Sequence, residues 1–277
     1  MRGKTIVITG ATSGIGEVAA IRLAEQGARI VFTARDQERA DATLRKLRTA
    51  NGAADHAVHL ADLSLLAEMK RVAGEIAAEP QIDVLINNAG ALFNKRSETA
   101  DGLEKTFALN HMSYFTVTNL LLPHLKSGAR IINTASNAHR NATLDFDDLQ
   151  SRRGYIGFAV YSKSKLCNIL FTRELARRIA GTGIIANSLH PGFVATRFGD
   201  QSGGVMQRLV SIAKPVGAIS PEEGAQTIVY LASSPEAASI SGEYFYKCKV
   251  AQPTREARND VDAGRLWDIS ASITEGR

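Results

Sequence analysis

Short runs of apolar, mostly β-branched residues alternate along the chain with longer stretches in which apolar positions return every three or four residues. The runs fall near 4–9, 29–33, 56–60, 82–87, 129–134 and 184–189, with a last one near 243–246. Several are apolar at nearly every position, the pattern of strands covered on both faces. Helical periodicity fills the intervals, notably over 14–26, 37–50, 64–78, 102–125, 159–181 and 221–233. This alternation predicts an α/β, doubly wound and mainly parallel sheet with helices on both faces. No Pro/Ser linker, repeat or low-complexity tract interrupts it, so residues 1–277 read as a single domain with a C-terminal extension over about 248–277.

Composition narrows the class. Hydrophobic residues make up 44% of the chain, ample for a core. No apolar run approaches ~18 residues and no signal-type N-terminus is present, so neither a membrane span nor secretion is expected. Cys167 and Cys248 are too few for a disulfide framework or a zinc site and suit a reducing, cytoplasmic setting; no metal is expected. Cys167, beside Leu166 and Leu170, reads as packing. The net charge of +5 is spread out apart from Arg152-Arg153 and Arg177-Arg178, which argues against nucleic acid as a partner.

Two local patterns carry chemistry. The first strand runs into Gly10-Ala11-Thr12-Ser13-Gly14-Ile15-Gly16 and then a helix. A strand, a glycine-rich turn and a helix N-terminus present free N–H groups and a positive dipole end to a phosphate, as in Rossmann-type folds. The spacing Gly-x-x-x-Gly-x-Gly differs from the usual dinucleotide fingerprint. The second strand ends Phe32-Thr33-Ala34-Arg35-Asp36. The acidic position that takes a ribose 2′-hydroxyl in NAD-binding units falls on Ala34, and Arg35 follows as a candidate clamp for the 2′-phosphate of NADP. A slip of two residues would put Asp36 there and favour NAD, so both cofactors stay open. The second pattern is Tyr161-Ser162-Lys163-Ser164-Lys165. Tyr161 and Lys165 are four apart on a helix and share a face. An ammonium there is expected to lower the phenol pKa from ~10 toward working pH, for general acid–base work.

Together, Thr9-Gly10-x-x-x-Gly14-x-Gly16, Asn87-Asn88-Ala89-Gly90, Ser136, Tyr161-x-x-x-Lys165 and Pro191-Gly192 resemble the short-chain dehydrogenases/reductases over about residues 4 to 247. The stretches Thr99 to Glu104, Leu166 to Leu175 and Arg265-Leu266-Trp267 look like the retinol-dehydrogenase-like branch. So does the long gap between Ser136 and Tyr161, with its insertion Asn141 to Gly157. The resemblance implies that Ser136 binds the substrate oxygen, Tyr161 passes the proton, and Lys165 holds the nicotinamide ribose and tunes Tyr161. Asn110 would join a proton-relay water to the lysine. Gly10, Thr12, Ser13, Gly14, Ile15, Gly16, Arg35, Asp62, Leu63, Asn88, Ala89, Gly90, Pro191, Gly192, Val194 and Thr196 would line the cofactor, with Thr196 on the carboxamide and Asp62 on adenine. Asp62 reads equally as the cap of a helix starting at Ser64. His139 could face substrate, or satisfy a loop carbonyl.

The function so implied is NADP-dependent hydride transfer between nicotinamide and a fairly apolar carbonyl or alcohol, with NAD possible. Gly199, Gly203, Gly204 and Gly217 would hinge a greasy lid over about 193–220. The helices at 102–125 and 159–181 pack subunits in many relatives, which implies a homodimer or homotetramer. The first strand starts almost at once, with no anchoring helix before it, so neither membrane attachment nor retinoid specificity follows from the resemblance, and an aldehyde, a ketone or a retinoid-like compound all fit the substrate class. A C=C reductase of the same family and a non-catalytic NADP-binding regulator are the alternatives.

Overall fold

The computed structural model describes residues 1–193 and 219–276. Val194, Thr196 and nearly all of the expected lid lie outside the described residues. Within them, β1 (Thr5–Thr9), β2 (Arg29–Ala34), β3 (Ala57–Leu60), β4 (Ile82–Asn87), β5 (Leu125–Thr134), β6 (Ile185–Leu189), β7 (Tyr244–Tyr246) and β8 (Lys249–Val250) form one sheet in the order β3-β2-β1-β4-β5-β6-β7-β8. All neighbours are parallel except β7 and β8.

Alternate residues of each strand go to opposite layers, as the pleat requires. Ile6, Ile8, Ile30, Phe32, Val84 and Ile86 join the core that α1 (Gly14–Glu25), α2 (Gln37–Ala50) and the helix Pro221–Ser233 cover. Val7, Val31, Leu85 and Ile131 face the other core, under α3 (Leu66–Ala77), α5 (Ser113–Leu121) and α6 (Gly157–Arg178). Strand order reverses between β1 and β4, so their C-terminal ends open a crevice where ligands of such sheets bind.

Three features depart from the sequence expectation. The helix expected over 102–125 starts at Lys105 as α4 (Lys105–Phe107), widens into a π-helical turn Ala108–Met112, and resumes as α5. The sheet gains the two-residue antiparallel strand β8, joined to β7 by a turn with Lys247 and Cys248 at φ 48° and 60°. The C-terminal extension forms a helix, Asp260–Glu275, capped by the Asn259 side chain. It lies along α5 and α6: Trp267 meets Phe115 and Phe171 at ring distances of 5.0 and 5.8 Å, and Thr274 hydrogen-bonds Thr116 at 3.1 Å. Arg178 stacks on Trp267, and Arg173 pairs with Asp260 at 2.9 Å. Part of the surface of both helices expected to pack subunits is therefore covered by the helix Asp260–Glu275. No helix among the described residues is long and apolar enough to cross a membrane.

Candidate active site

The crevice is built first from backbone. Gly10 and Gly14 have φ of 69° and 59°, which L side chains rarely adopt. A Cβ on Gly10 would also sit 2.8 Å from the Ala89 Cα, and one on Gly16 would collide with the Gly10 carbonyl and the Asn88 amide. Asn88 holds the turn in place, donating to the carbonyls of Thr9 and Gly10 at 3.3 and 3.1 Å. The Thr9 hydroxyl accepts from the N–H of Asn88 and of Ala89, at 3.0 and 3.1 Å, locking β1 to β4. Ser13 caps α1 by position only, with no side-chain bond to the helix, so the first N–H groups of α1 stay free toward the turn. This cradle suits a dinucleotide pyrophosphate.

At the end of β2, Ala34 is buried and Arg35 exposed. Among the described residues Arg35 makes no ion pair, whereas the Asp36 carboxylate is engaged as the cap of α2, accepting from Arg39 N–H at 2.8 Å. Asp62 accepts from the N–H and hydroxyl of Ser64 at 3.0 and 2.8 Å. It thus forms a turn ahead of α3, which starts two residues later than expected. The N–H of Leu66 is capped instead by Asp101, at 2.9 Å. The Leu63 side chain is buried in the core.

Ser136, Tyr161, Lys165 and Asn110 come together. Ser136 follows β5 and caps a 3₁₀ turn, Asn137–Asn141, accepting from Ala138 N–H at 3.2 Å. That leaves its own hydrogen to donate to the Tyr161 phenol oxygen. The Lys165 ammonium lies 5.6 Å from the Tyr161 ring centre and donates to the Thr134 carbonyl at 3.0 Å. Asn110 sits in the π-helical turn, fully buried. Its carboxamide pairs with both the N–H and the carbonyl of Ala91, at 2.8 and 2.9 Å, and donates to Ser164 at 3.0 Å. Gly90 is held beside Asn110 and Lys165: a Cβ there would lie 3.2 Å from the Asn110 oxygen and 3.4 Å from Lys165 Nζ.

The electrostatics correct one expectation. Burial pushes the Tyr161 phenol up, to about 12, with the Ser136 hydrogen bond opposing it. Burial likewise pushes the Lys165 ammonium down, to about 7. The lysine does not bring the phenol toward neutrality here. Desolvation of both groups outweighs a charge that is itself weakened and turned toward a carbonyl.

The short chain dehydrogenase family model matches residues 4–203. Human retinol dehydrogenase 14 is 41% identical over 98% of this chain and 86% of its own length. A crystal structure of a protein from Mycobacterium paratuberculosis is 31% identical, with a TM-score of 0.80 over 99% of this chain and 94% of that one. Pseudomonas aeruginosa RhlG, solved in an active-site complex with NADP, is 30% identical with a TM-score of 0.70, over 88% and 94% of the two chains. The chain belongs to the short-chain dehydrogenase family. Within it, the chain is of the retinol-dehydrogenase-like branch.

In this dehydrogenase the branch-like stretches prove to be scaffold. Asp101 caps α3, and Glu104 caps α4 by accepting from Thr106 and Phe107 N–H at 2.8 and 2.7 Å. Arg265 stacks on Phe146 at 4.5 Å and holds the insertion. Pro191 and Gly192 follow β6, where Gly192 has φ 94° and donates its N–H to His190 Nδ1 at 3.1 Å. Sequence reasoning missed the Thr134 carbonyl, which accepts from Lys165, Asn168 and the Tyr114 phenol at 3.0, 3.3 and 3.4 Å. A main-chain oxygen leaves no trace in residue identity. It also missed Ser164, the partner of Asn110, though its place inside the Tyr161-to-Lys165 run was a signal.

Proposed function

We propose that this dehydrogenase uses NADPH to reduce an apolar aldehyde or ketone, or runs the reverse oxidation. The observation that carries the reading is the hydrogen-bonded pair of Ser136 and Tyr161 above Lys165, next to the Gly90 backbone and the glycine cradle. When bound, the nicotinamide supplies the hydride. The protein's part is position and a proton. The Ser136 hydroxyl, relieved of no donor by its capping role, gives its hydrogen to the carbonyl oxygen. As negative charge grows on that oxygen, Tyr161 transfers its phenolic proton, and an alcohol results. Lys165 offers its ammonium to the ribose hydroxyls and returns a proton to Tyr161.

Arg35, exposed and unpaired among the described residues, fits the 2′-phosphate of NADP, and the engagement of Asp36 in capping α2 argues against its serving a ribose hydroxyl. The names of the curated relatives bring retinoid alcohols and aldehydes into the substrate class. The exposed apolar side chains of Ile156 and Phe158 at the start of α6, and of Phe193 after Gly192, fit an apolar substrate. The test is initial-rate oxidation of NADPH, and separately NADH, against decanal, retinal, a cyclic ketone, a quinone and an enone. Wild type and Tyr161→Phe run side by side. Expected is NADPH-linked carbonyl turnover that falls by ~10²–10⁴ in the variant. Equal rates in the two proteins would sink the mechanism, and enone reduction without carbonyl reduction would assign a C=C reductase instead.

A further inference from the structure

His139 is fully buried three residues after Ser136, and the mechanism above does not use it. Its ring is held from both sides. Nδ1 lies 2.7 Å from the Ser136 carbonyl oxygen, which can only accept, so Nδ1 carries the hydrogen. Nε2 then holds the lone pair, and the N–H of Thr254 donates to it at 3.4 Å. The Ser136 carbonyl also accepts from His139 N–H at 3.2 Å. Burial lowers the histidine pKa, so the ring is neutral in this tautomer. Its face packs edge-on against Tyr244 at 5.1 Å, and Tyr244 stacks in turn on His190 at 5.6 Å, whose Nδ1 holds the Gly192 N–H. A parallel strut, Arg140 to the Gln252 carbonyl at 2.8 Å, joins the same two segments.

We propose that His139 is a positioning residue: through its Nδ1–H it fixes the Ser136 main chain, and with it the serine hydroxyl, against the C-terminal segment around Thr254. The inference rests on the reading of Ser136 as the group that binds the substrate oxygen. Ala138 N–H holds the serine oxygen, the serine hydrogen goes to the Tyr161 phenol, and His139 holds the serine carbonyl. Hydroxyl placement of this kind acts on turnover more than on binding, because the bond to the substrate oxygen strengthens as charge develops there.

The experiment compares two isopolar variants with NADPH and decanal. Asparagine puts an amide where Nδ1 was and can still donate to the Ser136 carbonyl. Glutamine puts its amide near the position of Nε2 and keeps only the side facing Thr254. Expected is a kcat within about threefold of wild type for His139→Asn. A loss of about tenfold or more is expected for His139→Gln, with the NADPH Kd, read by nucleotide fluorescence, within about twofold in both. His139→Phe, which keeps the ring but neither bond, should match His139→Gln in kcat. If His139→Phe does not fold, the Asn and Gln pair decides alone. Equal kcat for Asn and Gln, or a better Gln, overturns the proposal, as does a loss that appears only in the NADPH Kd. Ser136→Ala in the same assay separates this inference from its premise. If it retains turnover, the reading of Ser136 fails and this inference with it. If it loses turnover while the Asn and Gln variants match, only this inference falls.

Discussion

At the start of β4, Asp83 is 4% exposed and surrounded by donors: Lys126 and Gln81 at 2.6 Å, Thr5 N–H at 2.9 Å and Lys4 at 3.0 Å. At the opposite, C-terminal end of the strands, Lys165 on α6 is 3% exposed and has a main-chain oxygen of β5 for a partner, with no carboxylate in ion-pair range among the described residues. Burial pushes the Asp83 carboxyl up, but Lys126, Gln81, Thr5 and Lys4 together bring it below its ordinary value. Nothing comparable compensates Lys165, which burial takes down to about 7. The N-terminal end of the strands satisfies its buried charge and stabilises the fold. The other leaves a charge undersupplied where a ligand is to bind, which costs stability and retains reactivity.

The contrast can be broken from either side. Lys165→Met should cost the largest effect, ~10²–10⁴ in kcat, while its melting temperature stays at or above that of wild type. A variant that loses both activity and several degrees would place Lys165 among the stabilising residues. Asp83→Ala should do the reverse. It strands the Thr5 N–H and costs about 1–3 kcal/mol in a urea melt, with kcat per folded molecule unchanged. Arg35→Ser should raise the KM for NADPH by ~10-fold or more, since a charge-assisted pair is worth ~1.5–3 kcal/mol, and leave the KM for NADH nearly unmoved. Similar losses with both cofactors would remove the 2′-phosphate role.

Two pH effects, smaller again, carry the same sign in different pH windows. Asp83 has a lowered folded pKa, so its contribution is present above the unfolded carboxylate pKa and is lost as pH falls through the folded one. Lys165 also has a lowered pKa, but as a base. The unfolded chain takes its proton near 10.5 and the folded chain only near 7, so stability declines from pH 10 to 7 on its account. The melting temperature difference between Lys165→Met and wild type should therefore narrow as pH rises from 7 to 10. A constant difference would show that Lys165 titrates normally.

The parts of the molecule that follow from local pattern were readable in advance. β1, α1 and β2 fall within a residue or two of expectation, because apolar runs, a glycine turn and helical periodicity are written in neighbouring residues. Tyr161 and Lys165 share a face for the same reason. What escaped depends on residues far apart. The π-helical turn at Asn110 is drawn out by its two bonds to Ala91, 19 residues away. The pKa directions of Tyr161 and Lys165 are set by the surrounding fold. The strand β8 has two residues and no pattern of its own. The helix Asp260–Glu275 did carry a signal, the cap Asn259 ahead of Asp260 and Asp262.

That last helix has a consequence for how the protein is made. The chain leaves the ribosome N-terminus first, and folding begins before the end has emerged. Until residues 260–275 are out, Phe115 and Phe171 lack Trp267, and buried His111 lacks Ser270, its 2.8 Å partner. The flank of α6, the helix that carries Tyr161 and Lys165, stays bare from its own emergence until that of residues 260–275. The flank of the helix that carries the turnover machinery is sealed only when this sixteen-residue cover settles.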